Sequence, residues 1–81
     1  MNDYYLYCCK QQDAADTSGR MTAALAAGQS ARDLEPGTEE PGWWRTVFAE
    51  DDAAAVAVSH ELLGDGAEVK AIGPGVLLGI I

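Results

Sequence analysis

Between Trp43 and Val69 the chain reads WWRTVFAE, then DDAAAVAVSHELL, then GDG, then AEV. No other stretch constrains the fold so tightly. Trp43 to Glu50 is rich in aromatic and β-branched side chains, which favour a pleated strand. Alternation puts Trp44, Thr46 and Phe48 on one face and Trp43, Arg45 and Val47 on the other. The paired indoles therefore point in opposite directions. One can enter a core under helices; the other needs cover from a loop, a tail or a second molecule. Asp51 or Asp52 then caps a helix by accepting from free backbone N–H groups, and acid in a first turn suits the helix dipole. Along that helix Ala55, Val58 and Leu62 form an inward stripe, widened by Ala54, Ser59 and Leu63, with His60 and Ala53 opposite. Gly64 stands where a helix stops, and Gly64-Asp65-Gly66 is just long enough to turn into a second strand. Such a strand–helix–strand unit normally makes a right-handed crossover between parallel strands.

The flanking segments supply the rest of the sheet. Asp3 to Cys9 is a strand with Tyr4, Leu6 and Cys8 on one side and Tyr5, Tyr7 and Cys9 on the other. Both sides are apolar or aromatic, so this strand is central and covered twice. Lys10 to Asp16 is a polar loop or irregular turn. Thr17 or Ser18 caps a helix to about Ala27, stopped by Gly28, with Met21, Ala24 and Leu25 facing inward. Gln29 to Gly42 holds Glu-Pro-Gly twice, and Pro-Gly suits the centre of a type II turn. It is a loop, with Ser30 to Leu34 able to add one helical turn. Ala67 to Ile72 is a strand with Val69 and Ala71 on one face and Glu68, Lys70 and Ile72 on the other, a half-polar pattern typical of an edge. After the Gly73-Pro74-Gly75 turn, Val76 to Ile81 is continuously apolar. It is a last strand, paired back or donated to a neighbouring molecule.

The predicted order is β-α-β-α-β-β. This is a small α+β sandwich related to the ferredoxin-like architecture, with two helices on one face of a small mixed sheet. That architecture has a strand where the Glu-Pro-Gly loop stands, and the apolar C-terminal strand can fill the vacancy. Element order of this kind is shared by many functions and selects none of them.

Eighty-one residues make one small domain with a limited core. Hydrophobic content of 48% argues for a folded chain. Thirteen acids against five bases give a formal charge of −8, which disfavours direct binding to nucleic acid or anionic membrane. Acidity permits docking on a basic surface; acid-rich, alanine-rich chains also come from salt-adapted or GC-rich genomes. No segment is long and apolar enough to span a membrane, and Met1 to Tyr5 lacks the basic start and apolar run of a signal peptide. The expected location is the cytosol.

Each candidate for chemistry has a simpler explanation. Cys8 and Cys9 are adjacent on a strand, point to opposite faces, and lack further cysteines for a zinc set; they read as buried small hydrophobes. Ser59-His60-Glu61 has the letters of a triad, but consecutive helical residues project in different directions. Gly64-Asp65-Gly66 and Gly73-Pro74-Gly75 precede no helix and carry no phosphate-binding Lys. Glu50, Asp51 and Asp52 could offer oxygens to Mg²⁺ or Ca²⁺, yet they open a helix, and capping accounts for Asp51 and Asp52. No catalytic residue, metal or cofactor is expected.

What remains is a surface. Asp33, Glu35, Glu39, Glu40, Glu50, Asp51 and Asp52 place seven of the thirteen acids around Trp43 and Trp44. Exposed aromatic anchors rimmed with carboxylates suit a protein interface. The leading expectation is a non-enzymatic protein that docks on a basic, nucleic-acid-binding surface of a protein partner, its carboxylates standing where phosphates would. In size, charge and absence of motifs the chain resembles phage-encoded inhibitors of host defence such as anti-CRISPR proteins. The alternative is a ferredoxin-like regulatory or ligand-binding module acting as a dimer. On either reading, Val76, Leu77, Leu78, Ile80 and Ile81 are expected to mediate self-association.

Overall fold

The computed structural model describes residues 1–29 and 43–81, apart from the side chain of Trp43. The Glu-Pro-Gly loop, the helical turn expected at Ser30 to Leu34, and Asp33, Glu35, Glu39 and Glu40 lie outside the described residues. The elements are β1 (Asn2–Cys9), α1 (Ala14–Ala26), β2 (Trp43–Ala49), α2 (Asp52–Leu63), β3 (Glu68–Gly73) and β4 (Val76–Ile80), in the order expected from the residues. A 3₁₀ turn over Gln11–Asp13 leads into α1.

The four strands form one mixed sheet in the order β2-β1-β4-β3. β1 pairs antiparallel with β2 and parallel with β4, and β3 pairs antiparallel with β4. The fold is α+β, and its strand order and helix count are compatible with a ferredoxin-like relationship. β2 and β3 run the same way, as a crossover requires, but at opposite edges, with β1 and β4 between them.

The last strand fills a central place. Val76, Leu77 and Leu78 are fully buried and Ile80 nearly so. The Tyr5 amide donates to the Gly75 carbonyl at 2.8 Å, and the Ile81 amide to the Cys9 carbonyl at 2.9 Å, so β4 is stitched to β1 at both ends. Gly75 takes φ +72°, the value a type II turn needs after proline, and so the Gly-Pro-Gly turn returns the chain. This corrects the expectation of self-association through Val76, Leu77, Leu78 and Ile80: their apolar surface is used inside their own sheet. Ile81 alone of that set stays half exposed.

The two helices do not share a face, which corrects the placement expected from the element order. Tyr4, Leu6, Cys8, Val47, Ala49 and Leu77 pack with Ala55, Val56 and Leu63 of α2. Tyr7, Cys9, Val76, Leu78 and Ile80 pack with Met21, Ala24 and Leu25 of α1. The reason lies in β1, whose side chains are apolar on both sides. One helix layer would leave half of them in water at roughly 25 cal/mol per Å².

Two glycines let the helices seat closely. A Cβ on Gly79 would meet Leu63 Cδ1 at 2.5 Å, and one on Gly73 would meet Leu25 Cδ1 at 2.8 Å. Each face of the sheet thus receives a leucine from the end of its helix over a bare backbone position.

Candidate functional site

Among the described residues, the expected interaction residues fall at two ends of β2. At one end Trp44 is half-buried and packs on Tyr7, ring centroids 4.8 Å apart and planes tilted by 50°. It belongs to the α1 side of the core. Glu50, Asp51 and Asp52 lie beyond the other end of the strand, and all three are exposed. Six residue steps at about 3.3 Å put roughly 20 Å between Trp44 and Glu50. The indole of Trp44 and these three acids therefore do not make one surface.

The Asp51 and Asp52 carboxylates have a local structural role, and Glu50 takes part through its backbone. β1 begins beside the end of β2, Asn2 opposite Ala49 and Asp3 opposite Phe48. The Asn2 side-chain amide donates to the Glu50 carbonyl at 3.0 Å and ties the two strand ends together. Asp51 has extended backbone and accepts from the Ala54 amide through Oδ1 at 2.8 Å, the capping bond expected from the sequence. Asp52 Oδ1 accepts from the hydroxyl of Tyr4, a buried residue, at 3.0 Å in a part-buried bond. Burial raises the Tyr4 phenol above its ordinary range, and the bond to Asp52 and that carboxylate's charge add to the shift. This contact carries the α2 N-terminus onto the start of β1.

The exposed aromatic side chain at the end of the sheet that carries these acids is Phe48, which is 59% exposed. Its cross-strand neighbour is the exposed Asp3, and Glu50 follows two residues on. Sequence alternation places Phe48 on the face of Trp44 and Thr46 but does not single it out as the exposed ring. The missing information is tertiary: on that face α1 lies toward β3 and β4, so the Phe48 end of β2 stays outside the packed cluster. Thr46 is exposed as well.

The remaining candidates are dispersed. Cys8 and Cys9 are free, buried, and directed to opposite faces under different helices. Burial pushes the Cys8 thiol up to about 11, with the neighbouring Cys9 adding to it. Burial raises Cys9 too, with the Thr17 hydroxyl pulling the other way. Ser59 is fully buried against the sheet, and its hydroxyl has no hydrogen-bond partner among the described residues. His60, the next residue on α2, is only half-buried. Among the described residues, no group of three or more His, Cys, Asp and Glu is arranged to hold a metal ion, and no helix is long and apolar enough to cross a membrane.

Comparison with protein-family models, with curated proteins and with solved structures finds no match for this chain.

Proposed function

We propose that this chain is a cytosolic, non-enzymatic protein that binds a protein partner through the acidic end of its sheet, on a basic surface that the partner otherwise offers to nucleic acid. The observation that carries the reading is Phe48, more than half exposed on a strand that is an edge among the described residues, beside Asp3 and Glu50, with Asp51 and Asp52 at the same end of the sheet. An exposed aromatic ring supplies desolvation energy at an interface. Carboxylates around it select Lys and Arg, the groups that contact phosphates. The formal charge of −8 adds long-range attraction to such a partner and repulsion from nucleic acid itself. An agent that occupies a phosphate-binding surface without being cut or copied acts as an inhibitor of its partner.

The test is capture of partners from a lysate on the immobilised protein, followed by release with salt or with duplex DNA. Phe48→Ala and the pair Asp3→Lys, Glu50→Lys are compared with the native chain, each checked by thermal melting. The expected outcome is release by both salt and DNA and a tenfold or greater loss of binding in each variant. Binding indifferent to salt, to DNA and to both substitutions would remove the proposal.

A further inference from the structure

We infer that two copies of this chain pair through the outer edge of β3, antiparallel and centred on Val69, to give a continuous eight-stranded sheet. Among the described residues β3 has a strand on one side only. Edge strands commonly carry charges and bulges that discourage further pairing. β3 has both: Glu68 and Lys70 are exposed, and the register shifts between Ala71 and Gly73. Neither Glu68 nor Lys70 has an ion-pair partner among the described residues.

The spacing of these charges turns a blocked edge into a self-complementary one. Antiparallel pairing about Val69 sets Glu68 opposite Lys70 of the second copy, and Lys70 opposite its Glu68. Both residues lie on the α1 side of the sheet, since their cross-strand partners are Ile80 and Leu78. The dimer axis therefore gathers two cations and two anions in alternation. On the other face Val69 meets Val69, and Ala71 meets Ala67 of the second copy. Opposite charges and β-branched pairs directly across a ladder are the favourable combinations. The bulge limits the pairing to residues 67–71, which contain the whole pattern. β3 is also neutral in a chain of formal charge −8 that has only two lysines. The other edge lacks this property: self-pairing of β2 about Thr46 would bring the two Arg45 side chains into diagonal contact, where like charges repel.

Such a dimer leaves both β2 edges, and hence both Phe48 ends, at the two outer limits of the sheet. It is independent of the partner-binding reading and would make that binding bivalent.

Sedimentation equilibrium tests the pairing. The native protein is expected to form a dimer, twice the 8.5 kDa of one chain. Glu68→Lys alone and Lys70→Glu alone each place like charges opposite one another twice, and each should weaken dimerisation tenfold or more. The double variant Glu68→Lys, Lys70→Glu restores it. An equimolar mixture of the two single variants forms a heterodimer, because the edge of one chain then carries only cations and meets an edge that carries only anions. A native monomer at millimolar concentration, single variants that dimerise as well as the native chain, or a mixture that stays monomeric would overturn the inference. Partner capture by the single variants separates this result from the first proposal, since Phe48 and its acids are untouched.

Discussion

Ser59 shows how far a residue's chemistry can depart from its position. It is fully buried on the inner side of α2 with no hydrogen-bond partner for its hydroxyl among the described residues. A buried unsatisfied hydroxyl costs about 1–3 kcal/mol, and alanine is the better helix former. Ser59→Ala is therefore expected to leave stability unchanged or raise it by about 1 kcal/mol in urea unfolding; a loss of that size would mean the hydroxyl is bonded. Cys8 makes a second residue-scale prediction. Burial holds its thiol at about 11, above the roughly 8.5 of an exposed thiol. The folded state keeps a proton that the unfolded chain releases. This contribution is whole below about pH 8.5 and drains away as pH rises toward about 11. Cys8→Ala should flatten the decline of the melting temperature across that window while lowering its value at neutral pH. An unchanged alkaline slope would place the cause elsewhere. That the cysteines are buried was legible in the apolar strand around them. Ser59 was legible as the margin of the inward stripe of α2; that it lies at the centre of the inner face was not, because that depends on how the helix is rotated over the sheet.

At the scale of elements, α2 is the instructive case. Its expected stripe of Ala55, Val58 and Leu62 is rotated in the fold. Ala55 and Ser59 are fully buried, and Leu63 reaches into the sheet, while Val58 and Leu62 are 39% and 48% exposed. Small residues face inward, Gly79 takes the Leu63 tip at the end of the helix, and the larger side chains Val58 and Leu62 move to the flank. The socket accounts for a third prediction. Gly79→Ala places a methyl group against Leu63, with Cys8 Sγ and Leu6 Cδ1 each 3.4 Å away. The leucine tip has to shift, and the methyl is still held between Cys8 Sγ and Leu6 Cδ1, so a loss of about 1 kcal/mol is expected from chemical denaturation; no loss would show that α2 is loosely seated. α1 departs from expectation more simply. It starts at Ala14, after the 3₁₀ turn, and Thr17 and Ser18 lie inside it without capping it. Its inward residues Met21, Ala24 and Leu25 are as the spacing indicates, and Gly28 ends it at φ +84°. Helix stops are readable because few residues other than glycine accept such a φ. Starts are less so when several polar residues in succession could serve.

For the whole molecule the decisive fact is the place of β4. A strand between β1 and β3, buried on both faces, ties the N-terminal and C-terminal halves together. Removal of residues 76–81 is expected to abolish folding, read as loss of the cooperative thermal transition by circular dichroism. A truncated chain that still melts cooperatively would mean β4 is an accessory. The same placement explains why β1 is covered twice and why the two helices lie on opposite faces. Among the described residues it leaves β2 and β3 as the two edges, one with Phe48 and the acids, the other with the Glu68–Lys70 pattern.

The residues alone determined which segments become strands and helices, where glycine and proline turn the chain, that an aspartate at 51 or 52 caps α2, and that β1 needs cover on both sides. These follow from local rules: propensity, alternation, capping and the φ values glycine permits. Only the tertiary structure decided which strand lies beside β1, which face each helix covers, and that Phe48 is the aromatic left exposed beside the acids. An apolar pattern reports that a side chain must be covered. What covers it depends on contacts between segments far apart in sequence, such as Cys9 with Ile80 and Leu63 with Gly79.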